Sequence, residues 1–278
     1  MTEADAIAAT PRPVTASSLT HELRDLGVTH GDVVIVHSSL SALGWVAGGP
    51  QSAVEALLAA VGAAGTIVMP TQSGQLSDPA NWSDPPVPAD WLDDVRANLP
   101  AYDAHLTPTR AMGQVVDCFR QHPSTIRSPH PLVSFAANGP AAVDLVAEHP
   151  VSPAFGHTSP LARLYDADAQ ILLLGVGHGN NTSLHLAEHR ADWVGKQHVE
   201  ESAPMLIDGE RQWVTWTDLE ANEDDFDQIG EALATTDIER VGPVGTGVAR
   251  LASQRAVVDF AATWMSANRP ASLGDTAT

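Results

Sequence analysis

A single cysteine, Cys118, stands in 278 residues, so no intrachain disulfide can form and a disulfide scaffold is excluded. Basic residues are scarce as well: 14 Lys and Arg against 34 Asp and Glu give a formal charge of −20. A surface of that sign repels phosphate backbones and anionic membranes, which argues against nucleic acid as a partner. It also concentrates cations, so the acidity serves either solubility alone or the capture of a polycationic substrate. No apolar run approaches the roughly 20 residues needed to cross a bilayer. The N-terminal stretch MTEADAIAATPRPV has neither the basic start nor the apolar run of a secretory signal, and a cytoplasmic location is expected. Repeats and low-complexity linkers are also missing. What is present, 44% hydrophobic and 17% charged residues, is the composition of a globular chain long enough for one large domain or two small ones.

Residues 1–16, small, polar and Pro-containing, read as a flexible arm, and 269–278 as a flexible tail around a single domain over 17–268. Apolar residues at helical spacing from Leu19 end at Gly27, and Val33 to Val36 form a short continuous apolar strand that delivers His37, Ser38 and Ser39 to its end. A helix over 51–61 and a strand over 65–69 complete a β-α-β unit, which favours parallel pairing. Residues 70–90 are a long Pro-, Ser- and Asp-rich loop, the kind that is usually functional when it interrupts a compact domain. Short helical patterns follow near 90–98 and 108–121, a strand at SFAANG, and a helix over 160–166. Ile171 to Leu174 is the most apolar strand candidate, with a glycine loop and a helix from about Thr182 after it. Asp208-Gly209 between two strand patterns marks a hairpin. A helix near 229–234 and a closing helix from about Val248 to Met265 end the chain. The expected fold is α/β, a mixed and largely parallel central sheet flanked by helices, with an antiparallel hairpin region.

The densest reactive cluster lies in TSLHLAEHRA, where His185, Glu188 and His189 at i, i+3 and i+4 share a helix face. Three readings fit it. HLAEH matches the HxxEH pattern of inverted zinc proteases, which would make the chain a zinc-dependent hydrolase. His185 could instead be a general base held by a carboxylate, or the cluster could be an ordinary solvated helix face. Its position after a buried strand and a glycine loop is where open α/β sheets place ligands. At the end of the first strand, HSSLSALG offers hydroxyls and backbone amides to polar groups, or simply turns the chain. Arg127-Ser128 in a Pro-stiffened segment could grip a phosphate, or tie a loop to the acidic surface. Nothing matches the GxSxG elbow of serine hydrolases.

Taken together and in order, HSSLSALGWVAGG, VMPTQS, FRQHPSTIRSPHPLVSFAANG, SPLARLYDADAQILLLGVGHGNNTSLHLAEH and WTDLEANEDDFDQIG resemble the aminoglycoside 3-N-acetyltransferase family over about residues 17–268. The resemblance implies acetyl transfer from acetyl-coenzyme A to the 3-amino group of a deoxystreptamine antibiotic, without a metal, on an α/β fold distinct from the common small acetyltransferase fold. It implies His185 as general base, Glu188 as its supporting carboxylate and Thr71 as donor to the thioester oxygen. Ser38, Ser39, Leu40, Arg127 and Ser128 fall where family members contact coenzyme A. Asp78, Glu220, Glu223, Asp224 and Asp225 match the region that receives the polycationic aminoglycoside. HPSTIRS stands where PG would precede the RS pair, and His178 and His189 are further departures; these bear on drug preference. The alternatives from outside the family are the zinc hydrolase and a non-catalytic acidic module that sequesters cationic ligands.

Overall fold

Strand β1 (Val33–Ser38) is buried on both faces, and its alternation sends Ile35 into one apolar cluster and Val34 and Val36 into another. In the computed structural model, which describes residues 2–269, the other strands are β2 (Thr66–Pro70), β3 (Ile126–Arg127), β4 (Phe135–Asn138), β5 (Gln170–Leu174), β6 (His198–Ile207), β7 (Glu210–Leu219), β8 (Glu239–Val244) and β9 (Gly247–Ser253). The helices are α1 (Glu3–Ala9), α2 (Ala16–Leu26), α3 (Gly49–Val61), α4 (Leu92–Asn98), α5 (Gln114–Arg120), α6 (Ala142–Val146), α7 (Pro160–Asp166), α8 (Ser183–Arg190), α9 (Phe226–Leu233) and α10 (Gln254–Asn268).

Seven strands form one mixed sheet in the order β3-β4-β2-β1-β5-β9-β8. Parallel pairing is confined to its centre, β2-β1-β5, while β4 and β9 add antiparallel strands on either side. The parallel share is therefore smaller than the β-α-β reading suggests: β3–β4 and β8–β9 are antiparallel hairpins, and they join the parallel centre through β4 and β9. One face is covered by α2, α3 and α5, the other by α6 to α10. The hairpin β6–β7 stands apart as its own two-stranded sheet, and Asp208 and Gly209 both have positive φ, 52° and 83°, as a two-residue I′ turn requires. Because the three central strands run in parallel, the loops after β1, β2 and β5 gather at a single edge of the sheet.

Two local expectations change. The chain before residue 16 is not simply an arm: Thr2 and Asp5 form a reciprocal capping box on α1, Trp45 Nε1 donates to Glu3 Oε1 at 3.1 Å, and Val14 bridges Val46. The last helix starts at Gln254 rather than near Val248, because Ala249 to Ser253 pair with the free edge of β5, Leu251 opposite Leu172, and Ser253 caps the helix. In the expected tail, Arg269 is fixed by side-chain contacts; residues 270–278 lie outside the described residues.

Burial holds three histidines neutral. Desolvation lowers His37 to about 3, helped by His178 and His185; it lowers His149 to about 3, helped by His130, and His130 itself to about 4. An unfolded imidazole titrates near 6.5, so below that pH the unfolded chain binds more protons than the native one, and stability falls as pH drops toward 4. Each such group contributes a slope of up to about 1.4 kcal/mol per pH unit. Urea unfolding between pH 7.5 and 5 should show a flat region above about 6.5 and a loss below it; a flat profile down to pH 5 would contradict the buried neutral rings.

Candidate active site

The i, i+3 spacing on α8 brings His185 and Glu188 into direct contact, Nδ1 to Oε2 at 2.6 Å. Their side chains are only 7% and 2% exposed. Phe155 stacks on the imidazole at 4.6 Å between centroids and 13° between planes, and Phe226 closes another side at 5.0 Å. The ring therefore has one orientation, and Nε2 is the nitrogen left without a protein partner among the described residues. A buried carboxylate needs a countercharge, and Arg269 supplies it: Nη1 donates to Glu188 Oε1 at 2.7 Å, where the Asn222 amide also donates at 3.1 Å. Arg269 also clamps Asp225 with two bonds of 2.7 Å and lies over the Trp193 ring at 5.1 Å.

His185 opens onto a cleft of about 400 Å³ whose wall includes Gln72, Arg110, Asn181, Glu223 and Phe226. The cleft lies among the loops that follow β2 and β5, at the edge where the parallel strands end. Of the five acidic residues expected to receive a cation, Glu223 lines it. Asp225 is neutralised by Arg269. Asp78 accepts from Arg96 through both oxygens, at 2.8 and 3.1 Å, and caps a short turn through the Ala80 amide. Glu220 is half-buried and Asp224 exposed.

The residues expected at coenzyme A divide in the same way. Ser38 Oγ at the end of β1 is buried and has no hydrogen-bond partner among the described residues, as is true of His37 Nε2 beside it. Ser39 donates its amide to Leu174 O at 2.9 Å and pairs its hydroxyl with Ser41 at 3.2 Å. Leu40 lines a separate cavity of about 630 Å³ with Trp45, Gly48 and Gly49 beside α1. Arg127 spends its guanidinium internally, on the hydroxyls of Ser134 (2.9 Å) and Thr71 (3.2 Å) and on the carbonyls of Thr71 (2.6 Å) and Thr107 (2.5 Å). Ser128 is fully buried, accepts from the Phe135 amide at 2.9 Å and meets His149 Nδ1 at 3.0 Å. Thr71 is fully buried too, its hydroxyl 3.1 Å from Ser134 Oγ. These three bind β2, β3 and β4 together in this structure.

The sequence reasoning missed Arg269, Asn222, Phe155, Arg110 and Asn181. An arginine just past an amphipathic last helix, in a chain with 14 basic residues, was a faint signal; the others have none that is local. The HxxEH reading needs His185 and His189 to converge on an ion with Glu188 on its water, whereas here Glu188 holds His185 itself and both its oxygens are engaged.

A buried imidazole–carboxylate pair with one ring nitrogen free toward a polar cleft is an arrangement that can accept and return a proton. The chain belongs to the aminoglycoside 3-N-acetyltransferase family, an acyltransferase family whose model matches residues 35–266. It is 41% identical over 263 residues to the SPbeta prophage-derived aminoglycoside N(3')-acetyltransferase-like protein YokD of Bacillus subtilis (strain 168), covering 94% of this chain and 96% of that protein. The crystal structure of YokD matches the fold with a TM-score of 0.93, covering 95% of this chain and 98% of that one. AAC-VIa bound to sisomicin is similar at 35% identity and TM-score 0.83, over 92% of this chain and 98% of that chain. AAC-IIIb, solved as a binary complex with CoASH, is similar at 29% and 0.82, over 93% and 99%.

Replacing Arg269 by Met leaves Glu188 buried without its countercharge and Asp225 without its clamp. The expected cost is about 3–5 kcal/mol in equilibrium unfolding. A loss under 1 kcal/mol would show that the network is not what holds the dyad.

Proposed function

We propose that this chain transfers acetyl from acetyl-coenzyme A to the 3-amino group of an aminoglycoside's deoxystreptamine ring, by direct attack and with His185 as general base. The observation that carries the reading is the 2.6 Å bond from His185 Nδ1 to Glu188 in the cleft, with Nε2 left to act. The family, and relatives solved with sisomicin and with CoASH, supply the substrate class.

The attacking nitrogen must be neutral, and an ammonium with a pKa of about 8 costs roughly 1.4 kcal/mol to deprotonate at pH 7. The neutral form is drawn from that equilibrium; His185 takes the proton the nitrogen sheds as it bonds to the thioester carbon and passes it to the leaving thiolate, and Glu188 offsets the charge the ring acquires, an arrangement generally worth about 10² to 10⁴ in rate. The net charge of −20 draws the polycation from a distance, Glu223 meets an ammonium in the cleft, and Glu220 and Asp224 add acidity along the same segment. The unpartnered Ser38 Oγ and His37 Nε2 at the end of β1 fit polar groups of the acetyl donor. Arg127, Ser128 and Thr71 hold β2, β3 and β4 together on the β2 side of β1, and Ser39 and Leu40 continue the loop after Ser38. Among the described residues, no helix is long and apolar enough to cross a membrane. We place the reaction in the cytoplasm, where acetyl-coenzyme A is available.

A thiol-release assay with acetyl-coenzyme A across a panel of aminoglycosides, with the acetylated nitrogen mapped, tests the reading. His185→Ala should lose at least about a hundredfold in kcat while coenzyme A affinity stays within a few-fold; full activity would remove His185 from the mechanism. Glu223→Gln should raise the aminoglycoside KM about tenfold with little change in kcat. Stoichiometric zinc with chelator-sensitive hydrolysis, or aminoglycoside binding without thiol release, would instead favour the hydrolase or the sequestering module.

A further inference from the structure

The hairpin β6–β7 is a sheet of its own, yet three consecutive residues of β7 reach the segment that leads to the ring covering His185. Trp216 sets its edge against the His130 ring at 5.9 Å and 87°, the Thr217 carbonyl accepts Ser152 Oγ at 2.8 Å, and Asp218 Oδ2 accepts the Ala154 amide at 2.8 Å. Of the hairpin's acidic residues, Asp218 alone is buried. Its other oxygen accepts the Leu219 amide at 2.8 Å. A carboxylate is costly to desolvate, and here both oxygens are engaged by backbone N–H groups, one of them 64 residues away in the chain.

Ala154 is held from the opposite direction as well. His149 Nε2 lies 2.7 Å from the Ala154 carbonyl, which can only accept, so Nε2 carries the proton and donates it. Nδ1 is then an acceptor, and the Ser128 hydroxyl donates to it at 3.0 Å while Ser128 Oγ accepts the Phe135 amide at 2.9 Å. A peptide unit is planar from one Cα to the next. The Ala154 N–H belongs to the plane that ends at Ala154 Cα, and the Ala154 C=O to the plane that ends at Phe155 Cα. The two bonds therefore fix both planes leading into Phe155, whose ring stacks on His185. Gly156 then carries the chain close past α8: a Cβ there would lie 2.6 Å from Pro153 and 3.1 Å from His189 Nδ1.

We propose that Asp218 and His149 are positioning residues for the proton-accepting ring: they pin the peptide units of Ala154 so that Phe155 lies flat on His185, and the hairpin is the arm that carries Asp218 there. The role in turnover rests on the acetyl-transfer reading above. Phe155 keeps the imidazole in the plane in which Nδ1 meets Glu188, and its π face meets the cation that forms when Nε2 takes a proton. Loss of either bond frees the phenyl and lets the His185 ring rock about its bond to Glu188; displacements of that kind cost up to about 10² in rate.

Five variants test this: Asp218→Asn, Phe155→Leu, the two combined, His149→Leu and His149→Gln. Asp218→Asn turns an NH2 group toward a backbone N–H and should lower kcat about tenfold, with both KM values within about threefold. In the Phe155→Leu background the same change should cost nothing further, whereas an effect of the lost charge on the neighbouring His189 and Lys196 would persist there. His149→Leu should also cost about tenfold, and His149→Gln, whose Nε2–H reaches the same carbonyl, should recover most of it. The His185 ring-proton resonances, assigned by their absence from His185→Ala, should shift in Phe155→Leu as the aromatic shielding is lost. They should move in the same direction in Asp218→Asn and His149→Leu. If Phe155→Leu or Asp218→Asn fails to fold, His149→Leu against His149→Gln decides, read by kcat and by the resonances. If the parent releases no thiol with any aminoglycoside, the acetyl-transfer reading fails, and the resonances still test the positioning. Asp218→Asn with the parent's His185 resonances, the same kcat loss with and without Phe155, or equal losses in His149→Leu and His149→Gln overturns the proposal.

Discussion

Glu188 is met from three directions. His185 Nδ1 bonds one oxygen, and Arg269 and the Asn222 amide share the other. Those partners come from α8, from the acidic segment before α9 and from the end of α10, so a single carboxylate joins three distant parts of the chain. Glu188 is only 2% exposed, beside a ring flanked by Phe155 and Phe226, and an unpaired carboxylate there would cost several kcal/mol, about what an uncompensated buried charge costs elsewhere. The closing segment therefore has to dock before the dyad can exist in its native form, which ties the integrity of the site to completion of the fold.

The sheet makes that convergence possible. Alternation along β1 divides its side chains between the two cores, and position 37 falls on the same face as Ile35, the face covered by α8 and α9. The polar ring at the end of an apolar strand is thereby turned toward the helix that carries His185. His178 and His185 both lie near enough to oppose protonation of His37. Three parallel strands then place the loops after β1, β2 and β5 together, and the antiparallel strands outside them leave that edge uncovered.

Local physics was legible and pairing was not. The apolar runs at Val33, Ile67 and Ile171, the Asp208-Gly209 hairpin and the His185–Glu188 spacing depend on residues within a few positions of one another, and each falls where periodicity puts it. The start of α10 was misplaced because Ala249, Leu251 and Ala252 satisfy a helical pattern as well as a strand, and only the free edge of β5 decides between them. Likewise Asp78 and Asp225 look like free carboxylates in sequence. The arginines that consume them lie 18 and 44 residues away. Arg127, in turn, reads as a cation for a ligand until Thr71, Thr107 and Ser134 come to surround it.

The pairing has a chemical consequence. A base that must take a proton from an ammonium works against every free carboxylate nearby, since negative charge holds the ammonium in its protonated form. A chain with 34 acidic residues faces that conflict acutely. Here Glu188 and Asp225 share Arg269, and Arg110 stands in the wall of the cleft, so the near field around His185 is close to balanced while the far field stays strongly negative. Attraction acts over the Debye length and needs only net charge, whereas proton transfer is governed by the groups within a few ångströms. On the acetyl-transfer reading proposed above, separating the two by distance would let one acidic protein gather a polycation and still relieve one of its nitrogens of a proton.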